Sequence, residues 1–312
     1  MSPPQASGPS RVARDDAVRL LAGGTPTVLV EVIEAHGSVP RGVGTRMLVT
    51  AHRTIGTIGG GHLELEAIVR ARRRLAGPGD DGDGDDARVR FPLGPALGQC
   101  CGGAVTLRIA RLDADALAAW PATEPLFRLQ LHGAGHVGRA VATLLATLDC
   151  AVDWFDQRDD GFPEATTLGS PWPAHVRRTA IDTVEAEVAH ARPGDLYLVL
   201  THEHALDLRI VEAILRRGDA GYVGLIGSET KRAAFTRRLQ ARGVTDASIA
   251  TLVCPIGVPG VAGKEPAVIA AAVVAQLLQA AAPARAPRVR SEAAESAVDE
   301  QIDAGHVRGR AG

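Results

Sequence analysis

Aromatic side chains make up only 3% of the 312 residues, and neither sign of charge dominates. Thirty-four Lys and Arg stand against 36 Asp and Glu, a formal net charge of −2. With few rings to stack on bases and no basic surplus to meet phosphates, nucleic acid is excluded as the main partner. Cysteine is scarce too. Cys100, Cys101, Cys150 and Cys254 are too few for a disulfide scaffold, so a reducing cytoplasm is the expected compartment. Long apolar runs are also missing: the longest, 267–278, is too short to cross a bilayer and carries Gln276, so no membrane role is expected. The first fourteen residues have no apolar core and do not read as a signal peptide.

What remains, 46% apolar and 22% charged residues, is globular in composition, and the length suits two domains. We expect 1–14 to be disordered and 15–112 to form a smaller mixed α+β domain. A linker at 113–125, with two prolines, leads to a second domain at 126–280, and 281–312 reads as a disordered tail. In the first domain, Asp15 or Asp16 is expected to cap a helix that ends at Gly23-Gly24. Strands are expected at 27–33, 45–50, 54–58, 87–91 and 105–112, with a helix at 63–75 burying Leu65, Ile68 and Val69. The aspartate-rich run 77–86 lacks the glycine and final glutamate of a calcium loop and reads as a solvated loop.

The second domain opens on Leu131-His132-Gly133-Ala134-Gly135-His136-Val137-Gly138. An alternating run at 127–131 precedes it, and apolar residues at helical spacing, Val137, Val141, Leu144, Leu145 and Leu148, follow. A glycine loop between strand and helix brings backbone N–H groups to a ligand at the positive end of the helix dipole. Asp156, ending the next strand about twenty residues on, completes the dinucleotide-binding fingerprint. The expected fold class is therefore α/β: a Rossmann-like parallel sheet with helices on both faces, preceded by the smaller domain. Further strands are expected at 196–200 and 222–226, and helices at 205–217, 228–242 and 266–279. Ser228 suits an N-cap and Pro266 a first helical position.

Several clusters can carry chemistry. In Cys100-Cys101-Gly102-Gly103, a thiol beside unhindered backbone N–H groups can become a thiolate that ligates a soft metal or carries sulfur. A pair of small apolar residues in a turn is the bland alternative. Gly59-Gly60-Gly61-His62-Leu63-Glu64 can cradle an oxyanion at a helix N-terminus, with Arg41 and Arg46 as added donors. Thr201-His202-Glu203-His204-Ala205-Leu206-Asp207 suggests metal ligation, but departs from dinuclear-hydrolase spacing. That favours hydrogen bonding to a ligand, with simple helix capping still open. Ser228, Lys231 and Lys264 lie on the same expected sheet edge as the glycine loop, where the lysines can neutralise phosphate. Cys150 reads as core.

Together these segments, with Gly37-Ser38-Val39-Pro40-Arg41, Tyr222-Val223-Gly224-Leu225-Ile226-Gly227-Ser228, Cys254-Pro255-Ile256-Gly257 and Gly263-Lys264-Glu265-Pro266, resemble the XdhC family of xanthine dehydrogenase accessory proteins. The match runs from about 17 to 280. The resemblance implies a chaperone that binds the molybdenum cofactor, in its molybdopterin form, and shields it from oxidation. It also implies cooperation with a NifS-type cysteine desulfurase, delivery to the molybdenum subunit of xanthine dehydrogenase, and a homodimer. Cys101 first, and Cys100 second, would then engage the cofactor, Cys101 as a possible molybdenum contact. The expected cofactor-binding set adds Gly102, Gly103, Arg41, Gly59, Gly60, Gly61, His62, Gly133, Gly135, His136, Gly138, Asp156, His202, His204, Asp207, Ser228, Lys231 and Lys264. The alternative from another class is an NAD(P)-dependent oxidoreductase using the Rossmann-like domain; no Tyr-x-x-x-Lys pair supports it.

Overall fold

The computed structural model describes residues 11–77, 86–93, 102–121 and 124–282. Its first half is an antiparallel sheet in the order β3-β2-β1-β5-β4. The strands are β1 (Val28–His36), β2 (Arg46–Val49), β3 (Thr54–Gly56), β4 (Asp86–Pro92) and β5 (Ala104–Arg111). β1 alternates so that each of its two faces meets a core. Val28, Val30 and Val32 pack with Leu63, Ala67 and Ala71 of α2 (Gly61–Ala76). Leu29, with Leu48 of β2, packs with Ala13 and Ala17 of α1 (Arg11–Ala22) and with Trp120, just past α3 (Ala114–Ala118).

Three expectations are corrected here. The buried stripe of α2 is Leu63, Ala67 and Ala71, whereas Leu65 and Val69 are 58% and 42% exposed. Small alanines let the helix lie close on the valine-rich sheet, which turns the larger side chains outward. Helix α1 starts at Arg11, so Asp15 and Asp16 lie inside it rather than at its cap, and 11–14 are helical. The expected linker holds a helix, α3, whose N-cap Asp113 accepts from the Ala116 N–H at 2.7 Å, and the buried Trp120.

The second half is a six-stranded sheet of β6 (Arg128–His132), β7 (Ala151–Asp156), β8 (Val176–Ala180), β9 (Leu196–Val199), β10 (Tyr222–Leu225) and β11 (Leu252–Val253). All pairings are parallel, in the order β11-β10-β9-β6-β7-β8. The chain builds outward from β6 to β8, then returns to β9 and builds the other way, the order of dinucleotide-binding folds. The helices are α4 (His136–Leu145), α5 (His204–Arg217), α6 (Glu229–Ala241), α7 (Asp246–Ala250) and α8 (Pro266–Ala281). Phe155, Tyr197, Val199 and Leu225 share one core with Leu206, Ile210 and Ile214 of α5, Phe235 of α6 and Ile249 of α7. The sheet reverses its direction of growth between β6 and β9, and that gap opens a crevice at their carboxyl ends.

Candidate functional site

In the first half, three of the glycine segments meet at one rim. The turn at 37–41 lies between the other two. A Cβ on Gly37, where φ is +70°, would sit 3.1 Å from the Gly103 Cα, and one on Gly103 would overlap the carbonyl oxygens of His36 and Ser38. On its other side Pro40 fills the space where a Gly59 Cβ would stand, with Arg41 alongside. Only glycine permits these approaches. Gly102 is exposed at this rim. Cys100 and Cys101 lie outside the described residues.

The Gly59–Gly61 loop holds a carboxylate of its own. Glu64 Oε2 accepts the N–H groups of Ile58 (3.2 Å) and Gly60 (3.1 Å) and the Thr57 hydroxyl, while the Gly59 N–H donates to Thr57 Oγ1 at 3.1 Å. The anion expected at this helix N-terminus is thus supplied from within α2. His62 is exposed, 3.6 Å from Glu66. Arg46, expected beside Arg41, is corrected to the opposite face of the sheet, where it pairs with Glu31 and lies over Trp120. Alternation along β2 decides this, because Arg46 is in register with Glu31.

In the second half the β6–α4 loop is locked by packing. Gly133, at φ +115°, lies against the Leu200 carbonyl, and Gly138 lies against the Gly133 carbonyl so closely that neither has room for a Cβ. Asp156, at the end of β7, accepts from the Ala134 N–H (2.6 Å), the Arg158 N–H (3.0 Å), Arg158 Nε (2.9 Å) and Arg158 Nη2 (3.1 Å). Burial pushes its carboxyl pKa up, but the Arg158 and Ala134 hydrogen bonds outweigh that and hold it below the ordinary carboxylate value. Arg139 donates to the carbonyls of Ala134 (2.9 Å) and Gly161 (2.8 Å), so the Ala134 peptide is held from both sides. The Asp156 carboxylate therefore braces the glycine loop with all four of these bonds. Gly135 meets nothing within 4 Å of a built Cβ, and α4 begins there without a side-chain cap, His136 exposed. Its first N–H groups form an anion site at the crevice.

Gly133, Phe155, Asp156, Gln157, Thr201 and His202 line that crevice. Asp207 is fully buried: its Oδ1 accepts the Thr201 N–H (3.0 Å) and hydroxyl (2.7 Å), and its Oδ2 pairs with Lys231 Nζ at 2.7 Å. Lys231 also donates to the Ile226 carbonyl at 2.9 Å. Its ammonium is turned inward, joining α5 to α6 beneath the strand ends. Ser228 caps α6, accepting from the Lys231 N–H. His202, His204 and Lys264 are exposed. Among the described residues no three His, Cys, Asp or Glu side chains are grouped to hold a metal ion, which removes the zinc reading of His202, His204 and Asp207. Burial pushes the Cys254 thiol up, against the opposing pull of Lys231 and Arg232. Cys150 is in the core, as expected.

One residue escaped the sequence reading. His132, the last residue of β6, is fully buried, stacks on Phe155 at 5.5 Å and has no partner for either ring nitrogen. Burial pushes its pKa down to about 3, so it is neutral. Its position directly before Gly133 was the only available signal.

Family models match both halves: one of the XdhC Rossmann domain over residues 129–277, and one of the XdhC and CoxI family over residues 20–80. The chain belongs to the XdhC family. It is 31% identical over 280 residues to the uncharacterized protein YqeB of Escherichia coli (strain K12), covering 85% of this chain and 45% of YqeB. This XdhC chain thus spans about half the length of that curated relative. Among solved structures, the crystal structure of a xanthine dehydrogenase from Bacillus halodurans matches with a TM-score of 0.61 at 20% identity, covering 88% of this chain and 98% of that one. That likeness is one of fold. No helix among the described residues is long and apolar enough to cross a membrane.

Proposed function

We propose that this XdhC-family chain serves the maturation of a xanthine dehydrogenase-type molybdenum enzyme of purine catabolism. It holds the molybdenum cofactor, in its molybdopterin form, during sulfuration by a NifS-type cysteine desulfurase. It then delivers the finished cargo and turns nothing over itself. The observation that carries this reading is the convergence of 37–41, Gly59 and Gly102-Gly103 on one rim. It brings the chain to that rim directly after the thiol of Cys101. The cargo has two kinds of handle. Its phosphate suits uncapped helix N-termini such as that of α4, and its metal centre suits a thiolate. A homodimer is part of the proposal, as is the cytoplasm as its compartment.

The test is anaerobic purification of the full chain with quantification of molybdenum and pterin. About one cofactor per chain is expected, and Cys101→Ala is expected to lose most of it and to stop activating apo-xanthine dehydrogenase. Full retention and unchanged activation by C101A would remove the thiol from the mechanism. Titration with NADPH belongs in the same experiment, because Arg158 beside Asp156 is the kind of residue that meets a ribose phosphate. Tight binding with turnover of a small alcohol or acid would replace the chaperone reading by an oxidoreductase.

A further inference from the structure

The face of the N-terminal sheet turned toward α1 and α3 carries a cation without enough partners. Glu31 serves two guanidiniums, pairing with Arg46 and lying 4.0 Å from Arg108, so the three groups carry a surplus of one positive charge. Arg46 is the buried member, its side chain only 8% exposed. Its guanidinium carbon lies 4.9 Å from the ring centroid of Trp120, which is 2% exposed. Arg46 Nε, Arg46 Nη1 and Trp120 Nε1 are all buried and have no acceptor.

A stack on an indole meets the flat face of a guanidinium but not the N–H groups along its edge. Leaving a buried donor without an acceptor costs about 1–3 kcal/mol, and more when the donor is charged. Such groups recur at places where a ligand belongs. Burial and the neighbouring Arg108 pull the Arg46 pKa below its ordinary value even though Glu31 raises it.

We propose that Arg46 and Trp120 form a site for a small oxyanion, bound by the unpartnered N–H groups of the guanidinium edge and the indole. The anion cancels the surplus charge and accepts the free hydrogen bonds. The site lies across the sheet from α2 and the glycine rim, and it stands whether or not the chain carries a molybdenum cofactor.

Calorimetric titration of the full chain with sodium phosphate, sulfate or acetate, at ionic strength matched with chloride, tests this. Saturable binding with a Kd below about 1 mM is expected for at least one of them. Arg46→Gln is expected to weaken it at least about tenfold, the loss of one charge-assisted contact. Trp120→Phe keeps the stacked ring and removes only the N–H, and is expected to weaken binding about threefold or more. Absence of saturable binding by the native chain overturns the proposal, as does equal affinity in R46Q, which would place the anion elsewhere, for instance at the α4 N-terminus. Should R46Q fail to fold, unchanged affinity in W120F is the overturning result.

Discussion

Three glycines of the fingerprint differ in what they do, and substitution separates them. Gly133 and Gly138 have no space for a Cβ because backbone carbonyls stand in the way. Gly138→Ala is therefore expected to cost about 1–3 kcal/mol in urea unfolding. Gly135 has φ −71° and open space around it, so Gly135→Ala should cost no more than about 1 kcal/mol. Equal losses at both positions would contradict this account of the loop. His132 yields a pH prediction with a definite sign. The unfolded imidazole titrates near 6.5 and the folded one near 3, so below pH 6.5 the unfolded chain takes up a proton that the folded chain refuses. Stability is expected to fall as pH drops from 6.5 toward 3, by about 1.4 kcal/mol per pH unit from this group alone. His132→Leu should remove that component, leaving the shallower slope of carboxylates such as Asp156. Parallel stability–pH curves for the two proteins would be the adverse result.

Elements meet through a small number of polar ties that period and propensity do not announce. The pair of Asp207 on α5 and Lys231 on α6 is the deepest. Removing one partner of a buried pair strands the other, so Asp207→Ala is expected to destabilise by about 3–5 kcal/mol. A loss under about 1 kcal/mol would mean that Lys231 reaches water easily. Gln276 on α8 accepts from the Tyr222 hydroxyl and the Gly257 N–H, both at 2.7 Å, and donates to the Gly257 carbonyl at 3.2 Å. Gln276→Ala should cost about 1–3 kcal/mol and loosen the 254–257 loop in hydrogen exchange. The sequence reading missed β8, whose Val176–Ala180 is mostly exposed and carries two arginines, and the two-residue β11. Both are outermost strands, where one neighbour suffices and apolar patterning is weak.

Each half of the molecule has its own described cores. Val28, Leu63 and Leu107 gather on one sheet, and Leu29 and Trp120 behind it, while Phe155, Val199 and Leu239 gather on the other. Asp15 of α1, 3.7 Å from the buried His175, is one tie between the halves. Residues 124–282 alone are therefore expected to fold, with an α/β circular dichroism spectrum and a cooperative thermal transition. A non-cooperative melt would show that the parallel sheet needs α1.

The glycine placements, the alternating valines of β1 and the strand–loop–helix order around Gly133–Gly138 were readable from the sequence. They also sufficed for the doubly wound sheet and for the family. Each is a local property, set by backbone freedom and by the period of burial along a few residues. Sheet order decided what charged groups do. Asp156 looked free to meet a ribose, yet β6 and β7 lie side by side and bring it to Ala134, 22 residues earlier. Lys231 looked free to meet phosphate, yet the adjacent positions of β9 and β10 hand it to Asp207. Arg46 looked like a partner for Arg41, yet its register with Glu31 turned it to the other face. Charge pairing acts across elements distant in the chain, so only the folded arrangement determined which of these side chains remain available to a ligand.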